Sequence, residues 1–203
     1  MKLTDQTVTG LLAAFRAPEP TPGGGSAAAL AGAMGASLLA MVAGLPKSRA
    51  ATAEDATRLA AAGERCTAIA SDLAALVDRD SEAYALVMAA YRKPKGTEGE
   101  KAARSAAIQE AMRAATAAPL EVMRACAAAA EQGVVIAAMG NPSASSDAAV
   151  GFELLGAGLR GAKLNAEINL RSIKDTAYVG TTQAEIEELE RALSHETAAA
   201  HRT

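Results

Sequence analysis

Apolar and polar positions recur at spacings of three and four along nearly the whole chain, the signature of amphipathic helices. No strand-like alternation of useful length interrupts them, apart from the short run Val134-Val135-Ile136. A first helix is predicted over residues 4–15, with Val8, Leu11, Leu12 and Phe15 on one face and Thr4 as its cap. A second follows the turn Pro20-Thr21-Pro22-Gly23-Gly24-Gly25-Ser26, is uncharged over residues 27–45, and stops at Gly44 and Pro46. Ser26 stands where its N-cap belongs. The third predicted helix starts at Thr52, with Asp55 as capping partner, and runs to Tyr91. At that length a bend is expected, and Gly63 is the best place for it.

Residues 92–96 read as a basic loop, after which Thr97 and Glu100 form a capping box for a fourth helix. Pro119 is expected to kink or restart it, and Gly133 to interrupt it again. Residues 140–145 are turn-rich. Ser145 or Ser146 then caps a helix reaching about Lys174, and a last helix begins at Thr182 with Glu185. The expectation is one all-α domain over residues 1–203, a single-domain helical bundle with a frayed end over 195–203.

Composition narrows the packing. Half of the 203 residues are hydrophobic but only 2% are aromatic, so the core must be built from Ala, Leu, Val and Met. Ala28, Gly32 and Ala36 form a small-residue stripe at spacing four. Such a stripe suits a helix buried on all sides in water as well as one dimerising in lipid. The buried helix is the favoured reading, because Ala and Gly gain little from lipid and no second comparable apolar run is evident. A net charge of -3 provides no field for nucleic acid, and neither a nucleic-acid nor a membrane partner is expected. Met1-Lys2-Leu3-Thr4-Asp5 resembles no secretory signal. Cys66 and Cys126, far apart in apolar helical surroundings, read as buried thiols of a cytoplasmic protein. No Cys/His cluster suggests a metal site, and no dinucleotide-binding strand–turn–helix unit is present.

Candidate chemistry gathers at four places. Gly23, Gly24, Gly25 and Ser26 lead into a helix start, where free N–H groups can hold a carboxylate or carbonyl oxygen; the alternative is a tight turn that permits close packing. Asp80 falls on the apolar stripe Leu73, Val77, Tyr84, Val87 and Tyr91, while Asp72, Asp78 and Glu82 fall on the wet side. A carboxylate on such a stripe is a candidate for a raised pKa and proton transfer, or it bridges to a neighbouring helix. Asn165 and Asn169, one turn apart among small residues, either read a ligand's amide-like edge or form an interhelical ladder. Arg92, Lys93 and Lys95 either meet an anionic tail or are simply solvated. His195 and His201 lie far from these segments and receive no catalytic role.

Four ordered segments resemble the cyclodeaminase/cyclohydrolase family of folate enzymes. They are residues 20–42; Asp80-Ser81-Glu82-Ala83-Tyr84 with Tyr91-Arg92-Lys93-Pro94-Lys95; Gly140-Asn141-Pro142 with Ser146-Asp147-Ala148; and Leu159-Arg160-Gly161-Ala162 through Leu164-Asn165 to Ile168-Asn169. The likeness covers about residues 5–175. Leu45-Pro46-Lys47-Ser48-Arg49 departs from it, where family members carry a lysine-rich segment ending in tyrosine.

The resemblance implies hydrolysis of methenyltetrahydrofolate. The alternatives are cyclodeamination of formiminotetrahydrofolate or a folate-binding protein without turnover. It further implies Asp80 and Asp147 as catalytic carboxylates. The substrate would be bound by Gly23, Gly24, Gly25, Ser26, Tyr84, Lys93, Lys95, Asn141, Asn165 and Asn169. A tetrahydrofolate derivative is then substrate, no cofactor is tightly bound, and a homodimer is expected.

Overall fold

The computed structural model describes residues 2–200 and 202, and among them only helices and connecting segments occur. A short 3-10 turn, Leu3–Asp5, precedes α1 (Val8–Arg16), α2 (Gly24–Gly44), α3 (Ala53–Tyr91) and α4 (Glu98–Met139). A second 3-10 turn, Pro142–Ala144, leads into α5 (Ser145–Leu170) and α6 (Thr176–Ala200). Helices α2 to α5 form a four-helix bundle, and α6 lies chiefly along α4.

Contacts between far-apart residues give the directions. Ser26 of α2 bonds Val77 of α3, while Ala43 faces Gly63, so these helices are antiparallel. Gly24 faces Asn165, and Gly35 faces Gly151 and Leu155, so α5 also runs against α2. Gly35 and Gly151 lie against each other's carbonyls: a Cβ on Gly35 would stand 2.7 Å from the Gly151 oxygen. Larger side chains there would force α2 and α5 apart. Leu39, Leu73, Met123, Phe152, Leu155 and Leu159 fill the interior, each fully buried or nearly so. Removing each from water contributes about 1.5–3 kcal/mol.

Two capping boxes form as the sequence predicts, Thr52 with Asp55 and Thr97 with Glu100. Other boundaries differ. Thr7, not Thr4, caps the first α-helix, since its side chain accepts from the Gly10 N–H. Helix α2 begins at Gly24 with Gly23 as N-cap, which puts Ser26 inside the first turn. Helix α5 has no side-chain cap at Ala144 and ends at Leu170; Asn141 caps the preceding 3-10 turn instead. Helix α6 starts at Thr176, six residues early, because Asp175 accepts from the N–H groups of Ala177 and Tyr178. It remains helical to Ala200, while His201 lies outside the described residues.

Helix α4 is unbroken through Pro119 and Gly133, and the segment 134–136 is helical. Pro119 cannot donate to the carbonyl four residues earlier, that of Ala115. The Asn169 side-chain amide of α5 donates to that oxygen at 3.0 Å. Gly133 is an approach point rather than a break, and Gly63 is a second approach point. A Cβ on Gly133 would strike the Phe152 ring, and one on Gly63 would strike Ala43. By length and composition both α2 and a window of α4 could cross a membrane, so a second apolar run does exist. Both helices contribute to the bundle core.

Candidate functional site

The site is built where the start of α2 meets α3. Asp80 projects from α3 toward the first turn of α2, and its Oδ2 accepts from the Ser26 backbone N–H at 3.0 Å. The Ser26 hydroxyl lies 3.2 Å from the same oxygen and 2.8 Å from the Val77 carbonyl, so its single proton is shared between two acceptors. Burial pushes the Asp80 carboxyl above its ordinary pKa, and the two Ser26 contacts pull against that rise without cancelling it. The result is a carboxylate fixed in place yet more basic than a solvated one.

Gly25 is buried against Asp80 so closely that a Cβ there would overlap the carboxyl group. Close approach is what the glycine provides, since no glycine among the described residues takes a positive φ. Gly24 is exposed, and a Cβ on it would stand 3.4 Å from the Asn165 Nδ2. The N–H groups of Gly24 and Gly25 make no hydrogen bond among the described residues, so two donors at the positive end of α2 stay open beside Asp80. Asn165 donates to the Gly161 carbonyl of its own helix at 2.9 Å, which leaves its Oδ1 facing the same space. Gly24, Gly25, Ser26, Asp80 and Asn165 thus converge; Gly23, as N-cap, lies beside them.

The remaining candidates are placed differently. Asn169 is committed to Ala115, the interhelical alternative for that amide. Tyr84 is half-exposed, one turn beyond Asp80 on α3. Lys95 lines a cleft of about 510 Å³ with Tyr91, Lys101, Arg104 and Lys174. Roughly 16 Å of helix separates Tyr91 from Asp80. Lys93 is exposed nearby and does not line that cleft.

Asn141 and Asp147 are at the opposite end of the bundle. The Asn141 side chain donates to the Pro46 carbonyl at 2.7 Å, just beyond the end of α2. Asp147 is one turn before Gly151, which packs against Gly35 and Leu39. Counting residues along α2 puts Asp147 roughly 25 Å from Asp80. The two carboxylates therefore do not share a site within one chain.

Asp78 also departs from expectation. It accepts from the Leu3 N–H and the Thr4 hydroxyl, and so ties the N-terminal segment to α3 instead of facing water alone. Sequence reasoning passed over Lys101, Arg104 and Lys174, whose cleft needs the ends of three helices, and Ser81. The buried Ser81 hydroxyl has no partner among the described residues. Its place in Asp80-Ser81-Glu82 was the one available signal. No group of three or more His, Cys, Asp and Glu suited to a metal occurs among the described residues. Cys66 and Cys126 are free and buried, with both thiols pushed up to about 12 by burial.

What this arrangement can do is hold water or a nitrogen-bound proton against Asp80 while α2 donors face an oxygen forming beside it. The Formiminotransferase-cyclodeaminase family model matches residues 7–188. A methenyltetrahydrofolate cyclohydrolase of Methylorubrum extorquens is 38% identical over 185 residues, covering 91% of this chain and 89% of that protein. The formimidoyltransferase-cyclodeaminase of Mus musculus is 32% identical over 92% of this chain, which spans only 35% of that longer protein. Among solved structures, the formiminotetrahydrofolate cyclodeaminase of Thermotoga maritima superposes with a TM-score of 0.87. The identity there is 25%, over 99% of this chain and 96% of that one.

Proposed function

Because the chain belongs to the formiminotransferase-cyclodeaminase family, we propose that it hydrolyses methenyltetrahydrofolate to formyltetrahydrofolate. The observation that carries the reading is Asp80, a carboxylate more basic than usual, held by Ser26 beside the open Gly24 and Gly25 N–H groups. The methenyl carbon bridges two folate nitrogens in an amidinium-like cation, and water adds to it. Asp80 takes one water proton as the oxygen bonds to carbon. The adduct then collapses: one C–N bond breaks, that nitrogen takes the proton back from Asp80, and the hydroxyl proton leaves to solvent. The helix-start donors stabilise negative charge developing on the oxygen, and Asn165 offers an amide to the pterin.

The cleft with Lys95, Lys101, Arg104 and Lys174 suits the carboxylates of the folate's glutamate tail, with Lys93 adding charge outside it. Tyr84 lies between that cleft and Asp80. Aspartate chemistry with helix-start donors needs no tightly bound cofactor. We place the enzyme in the cytoplasm, consistent with two unpaired cysteines, as a homodimer. The second reading is cyclodeamination, in which a formimino group closes on the neighbouring nitrogen and ammonia leaves. The likeness to the Thermotoga maritima enzyme favours it, and the same carboxylate could move the protons.

One paired assay decides between them. Purified protein should abolish methenyltetrahydrofolate absorbance faster than buffer does and release no ammonia from formiminotetrahydrofolate. Ammonia release without methenyl hydrolysis reverses the assignment.

A further inference from the structure

The stripe of α3 that carries Asp80 is covered by α2 over only half its length. Leu73 and Val77 are fully buried, but α2 starts beside Asp80. Beyond that point Val87 is half-buried, and Tyr84 and Tyr91 are half-exposed. Three helices continue there without a fourth: Arg104 of α4 reaches the Tyr91 carbonyl, and Gln109 reaches the Ser172 carbonyl just past α5. The result is an open trough roughly 16 Å long, leading from Asp80 and Asn165 toward the basic cleft around Lys95. A flat ligand lying in it keeps one face in water, whereas ligand sites ordinarily bury most of what they hold.

Helix α1 stands off the bundle. None of its residues is buried, and Leu3 packs against the core while no side chain of α1 does. Residues 7–22 form no hydrogen bond or ion pair outside that stretch among the described residues. Yet α1 is amphipathic: Val8, Leu11, Leu12 and Phe15 share one face, with Val8 77% and Leu12 55% exposed. A nine-residue helix is too short to persist alone in water, so that face needs a surface. Both ends of the excursion return to the neighbours of Asp80. Leu3, Thr21 and Pro22 line one cavity of about 370 Å³ with Asp78 and Ser81. The Leu3 N–H and Thr4 hydroxyl fix the near end on Asp78. Residues 17–23 leave the far end slack, able to span about 23 Å when extended.

Resting on the folate-enzyme reading, we propose that α1 is a lid, hinged at Gln6 and Thr7, that closes over folate bound in the trough. Its apolar face then lies on the pteridine and aminobenzoyl rings. At nine residues α1 is about 13 Å long, close to the length of the trough, and it supplies the fourth helix missing there. The anchors favour this surface over any other. One is on Asp78, two residues from Asp80, and the other leads directly into Gly23 and the start of α2. Closure strips bulk solvent from around Asp80 and the methenyl cation and strengthens their attraction, while the water to be added is enclosed with the substrate.

Two measurements test this, one independent of activity. The chain has no tryptophan, so a single indole placed on α1 reports its surroundings. In Leu12→Trp the emission should be that of a water-exposed indole and should shift to the blue when saturating 5-formyltetrahydrofolate is added. In Ala13→Trp, on the outer face of α1, it should not move. Calorimetry follows binding of the same folate to both variants. In the second arm, Val8→Gln/Leu12→Gln should keep the wild-type melting temperature, since neither side chain supports the core. It should lose at least about tenfold in kcat/KM for methenyltetrahydrofolate, mostly through KM.

Three results overturn the lid and leave the folate reading standing: binding without a blue shift in Leu12→Trp, an equal shift in both tryptophan variants, or wild-type kinetics in the double variant. So does an indole in Leu12→Trp that is already blue without folate and responds to protein concentration, which would place α1 on a second copy. Protein that neither binds 5-formyltetrahydrofolate nor turns over methenyltetrahydrofolate or formiminotetrahydrofolate overturns the functional reading and the lid with it.

Discussion

Replacing Gly25 by alanine adds one methyl group, and the structure says where it goes: into the Asp80 carboxyl. Neither neighbour can yield cheaply. Gly25 is in the first turn of α2, and Asp80 is held by Ser26 on the next residue, so moving the carboxylate stretches the bond that positions it. Overfilling a packed contact costs about 1–3 kcal/mol. Losing a hydrogen bond to a charged group costs about 1.5–3 kcal/mol, and the helix propensity of alanine returns at most ~1 kcal/mol. A net loss of about 2–3 kcal/mol follows, a fall in melting temperature of about 5–10 °C for a domain of this size. A displacement near 1 Å at the base should lower kcat/KM about a hundredfold. Far-UV circular dichroism melts and the methenyltetrahydrofolate absorbance assay read the two effects separately. Gly180→Ala, in exposed helix with open space around it, should leave turnover unchanged and stabilise by up to ~1 kcal/mol. A Gly25→Ala protein with wild-type melting temperature and turnover would refute the claim that this glycine exists to admit Asp80.

Asp80→Asn should retain helicity and lose on the order of a hundredfold or more in turnover, and the wild-type kcat/KM should rise with pH through a midpoint above the usual aspartate value. Because the folded-state pKa is raised, the native protein binds this proton more tightly than the unfolded chain does. Its contribution to stability is therefore full at low pH and lost as pH rises through the folded value, so the melting temperature of wild type relative to Asp80→Asn should climb on acidification. Asn169→Ala should cost about 1–3 kcal/mol by orphaning the Ala115 carbonyl, and much less in a Pro119→Ala background, where an N–H is restored; equal costs in a double-mutant cycle would refute the pairing. Cys66 and Cys126 should resist a thiol reagent at pH 8 until the protein is denatured, and rapid labelling of the native protein would contradict their burial.

What the sequence determined by itself is whatever lies within a few residues along the chain. The capping boxes at Thr52 and Thr97, the helical periodicity, the small-residue face of α2 and the place of Asp80 on an apolar stripe were all legible, because each depends on neighbours three or four positions away. Tertiary structure decided the rest. From its local setting Ser26 reads as a cap, but its N–H goes to an aspartate 54 residues on and its hydroxyl is shared between that aspartate and the Val77 carbonyl. Locally Pro119 predicts a kink or restart, but the helix does not restart: Asn169, again 54 residues from the carbonyl it satisfies, takes the place of the missing donor. Locally Gly133 reads as an interruption and Gly63 as the place for a bend; packing makes both places where a facing helix comes too near for a side chain. Asp80 and Asp147 are both catalytic candidates on the sequence because each falls in a family-like segment. Only the antiparallel course of α2 against α5 shows that one chain holds them at opposite ends, since a helix fixes distance along its own axis and leaves to packing which ends meet.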